Sequence, residues 1–469
     1  MKKKYVFFIL VLLTGCLLQA QVVTKIIQSE NLKSANISLL FRNIETGQTI
    51  LQHRSEKVAI PASTTKLITT ATALELLGSE FCFETFLEYD GKIENGVLNG
   101  NLYIRGGGDP TLGSRYLGDG NYLIKWIDAI KALGIKEIQG AVIADASLYS
   151  TEGISPKWTW EDMGNYYAAG VYALSVADNS CTVVLKSSEI GSTPEIVRTE
   201  PIIPELTFDL KLKATSITFD SAYFYGESLV NQRTLYGAIP AFRTEFPVKA
   251  DIPNPPLYLA QLFTQTLMEN KITVGSKAMA SFERGQNRTL FYTNYSPPLR
   301  EIIKEINYRS NNHYAEHLFR YLALQKSPIA TSNAAIVVVK DFWNSKRIST
   351  SSVFLYDGCG LSPCNAIPGG FLVDILEYMY KKSAKKEDFI ASLPIAGESG
   401  TVKNLLKNSK LQGKVYAKSG SISGVQCYAG YLEWKNQTYA FSLMINHFTG
   451  SRREVVKQLE SLMLNVTNF

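Results

Sequence analysis

The two ends of the chain carry what look like the halves of one sheet, and this division constrains the fold more than any other feature of the sequence. Runs of alternating apolar residues at both ends predict strands, at residues 37–44, 49–53, 414–418, 426–434 and 438–446. An amphipathic helix is predicted before Gly78, and another over residues 452–464. The sequence therefore predicts an α+β domain in which an antiparallel sheet, formed by both termini, is flanked by helices.

The stretch between the two ends has a different character. It is rich in strand signals, glycine turns and aromatic residues, and one helix is predicted within it, over residues 122–133. From Pro298 the helical pattern returns. We therefore predict one domain interrupted by a β-rich insertion that itself holds two domains. The predicted boundaries are residues 21–80 and 286–469 for the first domain, 81–108 with 187–285 for one inserted domain, and 109–186 for a second one nested within it.

The first 20 residues form a separate segment. Three lysines precede an apolar stretch over residues 6–18, and Ala20 supplies a small residue at the expected cleavage position. This pattern predicts a secretory signal peptide that is cleaved after about Ala20. Lipidation at Cys16 is the alternative, and it is disfavoured because apolar residues continue past that cysteine. We expect the mature chain in the periplasm or another exported compartment, either free or held peripherally at the membrane or cell wall.

Charge and cysteine content exclude several classes of function. The 469 residues carry a formal net charge of +6, which falls by three to +3 without the signal segment, so no nucleic acid partner is indicated. The five remaining cysteines show no CxxC spacing, which supports neither a disulfide framework nor a structural zinc site. Pairing of Cys359 with Cys364 is the alternative to two small apolar residues. No metal or other cofactor is predicted.

The first chemical motif is Ser63-x-x-Lys66. A serine hydroxyl is a weak nucleophile until a base takes its proton, and a lysine one helical turn away lies on the same face to do so. Pro61 favours a helix start, so Ser63 is predicted in the first turn, where unpaired N–H groups stabilise a developing oxyanion. Lys66 lies beside an apolar face, which favours the neutral amine. A second Ser-x-x-Lys begins at Ser383, in a run of charges typical of a solvated surface.

Two further motifs are short, and each is weak when taken alone. Ser310 and Asn312 lie in a polar turn between two predicted helices, which is either a simple connection or a way to place a hydroxyl and a carboxamide at a cleft. The run from Lys418 to Ser421 follows a predicted strand. It is either an exposed lysine before a hairpin turn or a binding element. In the second case Gly420 would let a substrate backbone approach the strand, and Lys418 would supply positive charge.

Together and in this order, the three motifs resemble those of the penicillin-binding proteins and serine β-lactamases. Ser63 and Ser310 are 247 residues apart, and Ser310 and Lys418 are 108 apart, so a long insertion separates the first two motifs. That arrangement resembles the class C, low-molecular-mass penicillin-binding proteins of the DacB type (peptidase family S13), which are D-alanyl-D-alanine carboxypeptidases and endopeptidases. The further stretches that resemble this family are residues 105–112, 160–167, 310–316 and 357–362.

The resemblance implies a β-lactamase-like catalytic domain and a serine peptidase mechanism. Ser63 would attack the carbonyl between the terminal D-alanines of a peptidoglycan stem peptide, with Lys66 as the base. Ser310 would pass the proton to the departing amine, and water would then hydrolyse the acyl-enzyme. β-Lactam antibiotics would acylate Ser63, deacylate slowly and so act as covalent inhibitors.

The resemblance also implies how the substrate is held. Asn312 would hydrogen-bond the substrate backbone, and Lys418 and Ser419 would bind the terminal carboxylate. The backbone N–H groups of Ser63 and Ser421 would form the oxyanion hole, with Gly420 between the two substrate-binding serines.

Three positions depart from the family pattern. Ser419 stands where threonine is usual, and it retains the hydroxyl. Cys359 and Pro363 stand where serine and arginine are expected, which leaves the shape of the cleft and the preference between carboxypeptidase and endopeptidase action open. Asp162, in the insertion, is a candidate for binding an ammonium group on the third residue of the stem peptide, with a structural turn aspartate as the alternative.

Three other functions stay open at this stage. His313, Glu316 and His317 form the H-x-x-E-H pattern of a zinc peptidase, although no third ligand is marked. A serine β-lactamase would share the fold and the motifs, and the long insertion disfavours it. A non-catalytic wall-binding protein is disfavoured because all three motifs are complete.

Overall fold

The computed structural model describes Thr24, residues 27–285 and residues 287–467, and the chain divides into two compact units. The first unit holds the described residues up to Ser79, Ile303–Asn311 and those from Val339 onward, and the second holds Glu80–Ile302 and Asn312–Val338. The predicted signal segment and Cys16 lie outside the described residues.

The first unit is built on a five-stranded antiparallel sheet to which both ends of the chain contribute, as the sequence predicts. In sheet order its strands are Thr49–His53, Asn36–Asn43, Gln437–Asn446, Val425–Trp434 and Val415–Ile422. The two ends meet where Phe41 pairs with Phe441, and the rings of these residues stack 5.2 Å apart. The strand that begins at Val415 runs to Ile422, past its predicted end, because it continues into a tight hairpin in which Ile422 pairs with Val425.

The two faces of this sheet are covered by different helices. Leu39, on one face, shares a buried apolar cluster with the terminal helix Arg452–Val466. Ser38, on the opposite face, lies against Gly369 at the start of the helix Gly369–Lys381, where an added Cβ would stand 2.6 Å from the serine Oγ. Successive residues of a strand point to opposite faces, so this arrangement places one helical layer on each side of the sheet.

The helix that follows Ser63 is more deeply buried than its sequence predicts. A 3-10 turn, Ala62–Thr64, leads into the α-helix Thr65–Leu77, which ends at Gly78 with φ +86°. Residues 65–74 are all buried, so the helix lies inside the unit rather than showing one face to solvent. Its threonine hydroxyls are satisfied internally, for example by donation from Thr70 Oγ1 to the carbonyl of Lys66 at 2.7 Å.

Several shorter elements complete the first unit. The strands Val58–Ala59 and Ile367–Pro368 form a two-stranded sheet, and Lys386–Ala391 is a short helix. The helices Leu299–Arg309 and Ser332–Ser345 contribute residues to both units.

The second unit is rich in strands, as the strand signals and glycine turns of its sequence predict. In strand order, its five-stranded sheet is Met279–Ser281, Val142–Asp145, Leu102–Gly106, Glu84–Tyr89 and Thr289–Tyr295, and its four-stranded sheet is Thr273–Val274, Glu137–Ile138, Val97–Asn99 and Lys92–Glu94. One three-stranded sheet is Glu195–Glu200, Ser180–Ser187 and Arg243–Asp251, and another is Thr207–Leu210, Gln232–Tyr236 and Tyr223–Tyr225. The strands Lys213–Thr215 and Ala238–Pro240 form a two-stranded sheet. The first of these sheets joins strands from both predicted inserted domains, and the boundaries of those domains stay a prediction.

The second unit also contains a helix that sequence reasoning missed. The predicted helix is present at Tyr122–Ala132, but a second one spans Pro255–Glu269. Asn254 caps it by accepting a hydrogen bond from the Leu257 N–H at 3.1 Å, and the prolines occupy the first helical positions, where a missing N–H costs nothing. The Asn-Pro-Pro sequence was therefore a helix start within a region interpreted as strands and turns. A third helix, Asn312–Leu322, begins directly after Ser310 and Asn311.

Within the described part of the chain, no helix combines the length and the apolar character needed to cross a membrane.

Candidate active site

Ser63 and Lys66 are in direct contact. Ser63 lies in the 3-10 turn before the helix, and Lys66 lies in the first turn of the α-helix, which is the spacing that the motif predicts. The Lys66 Nζ is 3.0 Å from the Ser63 Oγ, and the lysine side chain is fully buried. A nucleophile and a base within hydrogen-bonding distance are the minimum arrangement for nucleophilic catalysis.

The backbone holds the Ser63 turn tightly on two sides. Ala62, immediately before the serine, has φ +45°, a conformation that residues other than glycine rarely adopt. A Cβ added to Gly420 would stand 2.7 Å from the Pro61 carbonyl oxygen and 3.0 Å from the Ser63 nitrogen, and one added to Gly360 would stand 1.9 Å from the Ala62 carbonyl oxygen. Because neither glycine can carry a side chain without displacing this turn, both set the position of the serine.

The loop that contains Cys359 supplies a backbone acceptor to the base. The Lys66 Nζ donates to the Cys359 carbonyl oxygen at 2.6 Å. The loop is held by the buried Asp357 carboxylate, which accepts from the Gly360 N–H at 2.8 Å and the Ser362 N–H at 2.6 Å. Sequence reasoning identified this segment as a family stretch but assigned it no role, because a carbonyl acceptor leaves no side-chain signal.

The two cysteines of this region differ in exposure. Cys359 is buried and Cys364 is exposed, and the two are not joined by a disulfide. Since the Cys359 contact with Lys66 runs through the main chain, the replacement of the expected serine by cysteine leaves that contact intact.

Ser310 and Lys418 form a second serine–lysine pair. Ser310 adopts φ +61° at the junction between two helices, and its Oγ accepts a hydrogen bond from the Lys418 Nζ at 2.9 Å. The same Nζ donates to the Ser419 carbonyl oxygen at 2.7 Å. Burial lowers the pKa of the Lys418 ammonium well below its ordinary value, and the positive charge of Lys66 lowers it further. The two lysines are therefore electrostatically coupled.

The other residues of the third motif also have defined contacts. The Ser419 hydroxyl donates to Thr401 Oγ1 at 2.8 Å, a partner that the sequence did not suggest. The Ser421 hydroxyl accepts a hydrogen bond from Arg452, which also donates to Gln426 Oε1 at 2.7 Å. The run Lys418–Ser421 lies inside a strand and not after one, so the hairpin ladder fixes its backbone.

Asn312 and Asp162 belong to the second unit. The Asn312 amide donates to the Tyr167 carbonyl oxygen at 2.9 Å. Asp162 ends a 3-10 turn, and its carboxylate accepts from Thr159 Oγ1 at 2.6 Å. Burial raises the pKa of the Tyr167 phenol, and the Asp162 carboxylate raises it further through its charge and a hydrogen bond. These bonds hold the Asp162 carboxylate within its own turn, and its role in substrate binding stays a prediction.

The histidines of the H-x-x-E-H pattern are not arranged as metal ligands. His317 has both ring nitrogens within hydrogen-bonding distance of other groups, the Gly108 carbonyl oxygen at 3.0 Å and Ser175 Oγ at 2.7 Å. Burial lowers the pKa of His317 well below its ordinary value and that of His313 to about 3, so both rings are neutral. Among the residues that the structure describes, neither histidine belongs to a group of three close metal-binding side chains.

The chain is similar in sequence and in fold to known proteins. The chain is 28% identical over 429 residues to the D-alanyl-D-alanine carboxypeptidase DacB of Haemophilus influenzae, an alignment that covers 89% of this chain and 86% of the relative. The crystal structure of penicillin binding protein 4 (dacB) from Haemophilus influenzae superposes with a TM-score of 0.83 at 25% identity, covering 95% of this chain and 99% of that one. The same protein complexed with a novel β-lactam gives a TM-score of 0.79 at 24% identity, with the same coverage.

These likenesses confirm the predicted fold class, an α+β penicillin-binding fold, and the resemblance from which it was inferred. The model of the D-Ala-D-Ala carboxypeptidase 3 (S13) family matches residues 18–466, which is most of the chain. The chain therefore belongs to the D-Ala-D-Ala carboxypeptidase 3 (S13) family, a family of serine peptidases.

Proposed function

We propose that this protein hydrolyses the bond between the two terminal D-alanines of peptidoglycan stem peptides, and the corresponding bond in cross-links, through an acyl-enzyme on Ser63. The observation that carries the proposal is the 3.0 Å contact between the Lys66 Nζ and the Ser63 Oγ at a turn fixed by backbone packing. The family membership supports the reaction class.

Acylation begins with transfer of the Ser63 proton to Lys66. The Ser63 Oγ forms a bond to the carbonyl carbon of the penultimate D-alanine, and the carbonyl oxygen takes the negative charge. The backbone N–H groups of Ser63 and Ser421 are the proposed donors to this oxyanion. The close contact of Gly420 with the Ser63 turn supports the position of the first donor. The strand that contains Gly420 and Ser421 supports the position of the second.

Departure of the leaving group requires a proton on its nitrogen. Ser310 is the proposed carrier, because its Oγ already accepts a hydrogen bond from Lys418 and can donate its own proton onward to the amine. The carbon–nitrogen bond then breaks, the oxyanion returns to a carbonyl, and D-alanine is released, or the amine of a neighbouring strand when the substrate is a cross-link. The proton that Lys66 took from Ser63 replaces the one that Ser310 gave away, so Lys66 is neutral again. Water, with Lys66 as the base, hydrolyses the ester and regenerates Ser63.

The electrostatic coupling between the two lysines allows one amine to act as the base and the other to bind an anion. Burial and mutual repulsion disfavour a proton on both amines at once. A substrate carboxylate bound beside Lys418 and Ser419 would favour the proton on Lys418, which leaves Lys66 as the neutral base. Binding of the correct anion would thereby prepare the nucleophile.

Further contacts are proposed for the remaining site residues. Asn312 is proposed to accept from the substrate backbone through its Oδ1, since its amide nitrogen donates to Tyr167. Asp162 is proposed to interact with the third residue of the stem peptide, although its hydrogen bond from Thr159 favours a supporting role in the turn.

The proposed partners and location follow from this activity. Peptidoglycan stem peptides are the substrates, and β-lactams are covalent inhibitors that acylate Ser63; a β-lactam complex of the Haemophilus influenzae relative supports the latter. Peptidoglycan lies outside the cytoplasmic membrane, so the protein is proposed to act in an exported compartment after removal of a signal peptide.

Two measurements test the proposal. Incubation with a penicillin is expected to add the mass of one drug molecule to the wild-type protein and none to Ser63→Ala. Purified muropeptides, followed by mass analysis, are expected to lose one D-alanine, and dimers are expected to yield monomers. No adduct and no product would refute the proposal, rapid turnover of a chromogenic cephalosporin would indicate a β-lactamase, and loss of activity on chelation with penicillin labelling intact would indicate a zinc peptidase.

A further inference from the structure

The second unit contains a groove that none of the proposed catalytic and substrate-binding residues lines. Its volume is about 730 Å³, which is in the size range of ligand-binding sites. The side chains of Trp158, Trp160 and Tyr225 form its apolar wall, and Glu152 and Glu227 contribute carboxylates. All of these residues belong to the second unit, so the groove is a property of that unit alone.

The apolar wall continues as a group of aromatic rings on the surface, which we call the aromatic patch: Trp160, Tyr225, Tyr236 and Tyr223. The ring centres of the three tyrosines lie 5.2, 5.3 and 5.9 Å from one another, and the ring centre of Trp160 is 5.9 Å from that of Tyr225. Trp160 is 72% exposed, Tyr223 38% and Tyr236 37%. Large aromatic side chains normally bury most of their surface, so a run of partly exposed rings next to a groove indicates a binding surface.

The strands hold the aromatic patch in place. Tyr223 and Tyr225 lie on the strand Tyr223–Tyr225, and Tyr236 ends the neighbouring strand Gln232–Tyr236, opposite Tyr223. Beneath them, the buried Arg233 guanidinium forms a two-point ion pair with Asp251, with N–O distances of 2.7 and 2.8 Å. Rings carried by paired strands over a fixed buried pair are preorganised, which reduces the entropy lost when a ligand binds.

The polar groups of the groove are hydrogen-bond acceptors and hydroxyls. Glu152 and Glu227 are exposed, and neither has an ion-pair partner among the residues that the structure describes. Thr234 and Ser228 add hydroxyls, and the Ser228 hydroxyl is fixed by a hydrogen bond with Tyr172. Free carboxylates repel polyanions, and they accept hydrogen bonds from neutral hydroxyl and amide donors.

We propose that the groove and the aromatic patch bind the glycan strand of peptidoglycan. A pyranose ring has apolar C–H faces and a periphery of hydroxyl and acetamido groups. The faces match the exposed rings, and the periphery matches the carboxylates and hydroxyls of the groove. Trp160 and Tyr225 line the groove and also belong to the patch, whereas Tyr223 and Tyr236 lie outside the groove, so the surface offers contacts to more than one sugar of a strand.

The inference rests on the proposed function only in naming peptidoglycan as the source of the saccharide. It adds a non-catalytic contact with the polymer to which the stem peptides are attached. Holding that polymer raises the effective concentration of stem peptides for the same molecule without any new contact at the reacting bond. The expected signature is a preference for substrates that retain their glycan.

A stem-peptide amine is the alternative ligand, since carboxylates and aromatic faces also bind ammonium groups. The arrangement favours sugars because the three tyrosine rings pack against one another, with centres 5.2 to 5.9 Å apart, and leave no space between them to enclose an ammonium group. The two ligands are separated by the choice of probe in the experiment below.

The experiment uses the full mature chain and two probes, glycan strands freed of their peptides by an amidase and an amine-bearing stem peptide without sugar. Calorimetry is expected to detect binding of the glycan strands by the wild-type protein. Tyr225→Ala is expected to weaken this binding by about tenfold or more, whereas Tyr295→Ala, which removes a tyrosine of 63% exposure in another sheet, is expected to leave it within about twofold.

A more conservative variant controls for the possibility that Tyr225→Ala misfolds. Glu227→Gln keeps the shape of the groove and is expected to weaken glycan binding by about threefold to tenfold with an unchanged melting temperature. For Tyr225→Ala, hydrolysis of intact sacculi is expected to fall more than hydrolysis of a small sugar-free peptide. Failure of the glycan to bind, binding that is insensitive to both groove substitutions, or binding of the stem peptide alone would overturn the inference. Lack of hydrolysis by the wild-type protein would instead refute the proposed function and leave the binding result to stand.

Discussion

The pair Ser63–Lys66 and the pair Ser310–Lys418 have nearly the same geometry, with N–O distances of 3.0 and 2.9 Å, but they arise in different ways. The members of the first pair are three residues apart, so one turn of helix brings them together. The members of the second are 108 residues apart, and a helix junction must meet the edge strand of the sheet before they can touch. The first pair is local chemistry, whereas the second is a product of the fold.

This difference predicts which of the two contacts persists when a substitution disturbs the structure around it. A local pair persists wherever its turn persists, whereas the distant pair depends on the docking of Val415–Ile422 beside the Ser63 turn. The lysines differ as well, because Lys66 also donates to the Cys359 carbonyl while Lys418 donates to its neighbour Ser419. We therefore expect substitutions in the first pair to affect chemistry and substitutions around the second to affect binding and docking as well.

The largest effect is expected for Lys66→Met, which removes the base but keeps an unbranched side chain. Loss of a positioned base lowers kcat/KM by about 10⁴-fold, and acylation by penicillin should slow comparably. Stopped-flow acylation and peptide hydrolysis would measure this. Lys386→Met is the matched control, because Lys386 lies in the second Ser-x-x-Lys and its Nζ stands over the Tyr380 ring at 3.7 Å, away from this chemistry. Equal losses in both variants would contradict the assignment of Lys66.

The next effect is expected for Ser310→Ala. It removes the acceptor of the Lys418 hydrogen bond and the proposed proton carrier, so kcat should fall by about 10²-fold. Because the leaving group of a strained β-lactam stays tethered, acylation by penicillin should fall less than peptide hydrolysis does. The ratio of the two rates is the measurement, and an unchanged ratio would remove Ser310 from the proton path.

A smaller effect is expected for Gly420→Ala. The added methyl group would stand 2.7 Å from the Pro61 carbonyl oxygen, and the strand would have to shift away from the Ser63 turn. Overpacking of this kind costs about 1–3 kcal/mol of stability, and the displaced serine should acylate about tenfold more slowly. Denaturant unfolding and penicillin acylation would measure the two effects. Gly120→Ala controls for the loss of a glycine, because an added Cβ there meets no atom within 4 Å and the φ of Gly120 lies outside the left-handed region.

The smallest effect is expected from pH. A lowered pKa means that Lys418 loses its proton at a pH below its ordinary value of 10.5, and with that proton it loses its attraction for a carboxylate. KM for a substrate with a free terminal carboxylate should therefore rise as the pH increases through that lowered pKa, by a few fold per pH unit at most. The same peptide with a C-terminal amide should show no such rise, and an equal rise for both substrates would contradict the role of Lys418.

The sequence was sufficient to predict the parts of the molecule that depend on short-range pattern. The Ser63–Lys66 contact follows from helical spacing, and the strands of both termini follow from alternation. The helix Pro255–Glu269 was missed because its start signal, Asn-Pro-Pro, also suits a turn, and only its packing in the second unit distinguishes the two.

Other parts of the site could not be predicted because their partners are distant or lie in the main chain. The Ser310–Lys418 contact was not predicted, since nothing local links residues 108 apart; the family resemblance implied only that both residues belong to one site. The Cys359 carbonyl that accepts from Lys66 carries no side-chain signature. Gly420 was expected to make room for a substrate. The structure shows that the absence of a side chain at this position also makes room for the Ser63 turn.

The contact of two glycines with the Ser63 turn has a consequence for drug resistance. A target can escape an acylating antibiotic by moving its nucleophile, but here Gly360 and Gly420 confine the segment Pro61–Ser63 through main-chain atoms that no substitution can remove. Escape mutations should therefore arise at the rim of the cleft, where they exclude the drug, and seldom at the serine itself. An inhibitor that reaches no further than the immediate surroundings of Ser63 would leave this protein few routes of adaptation.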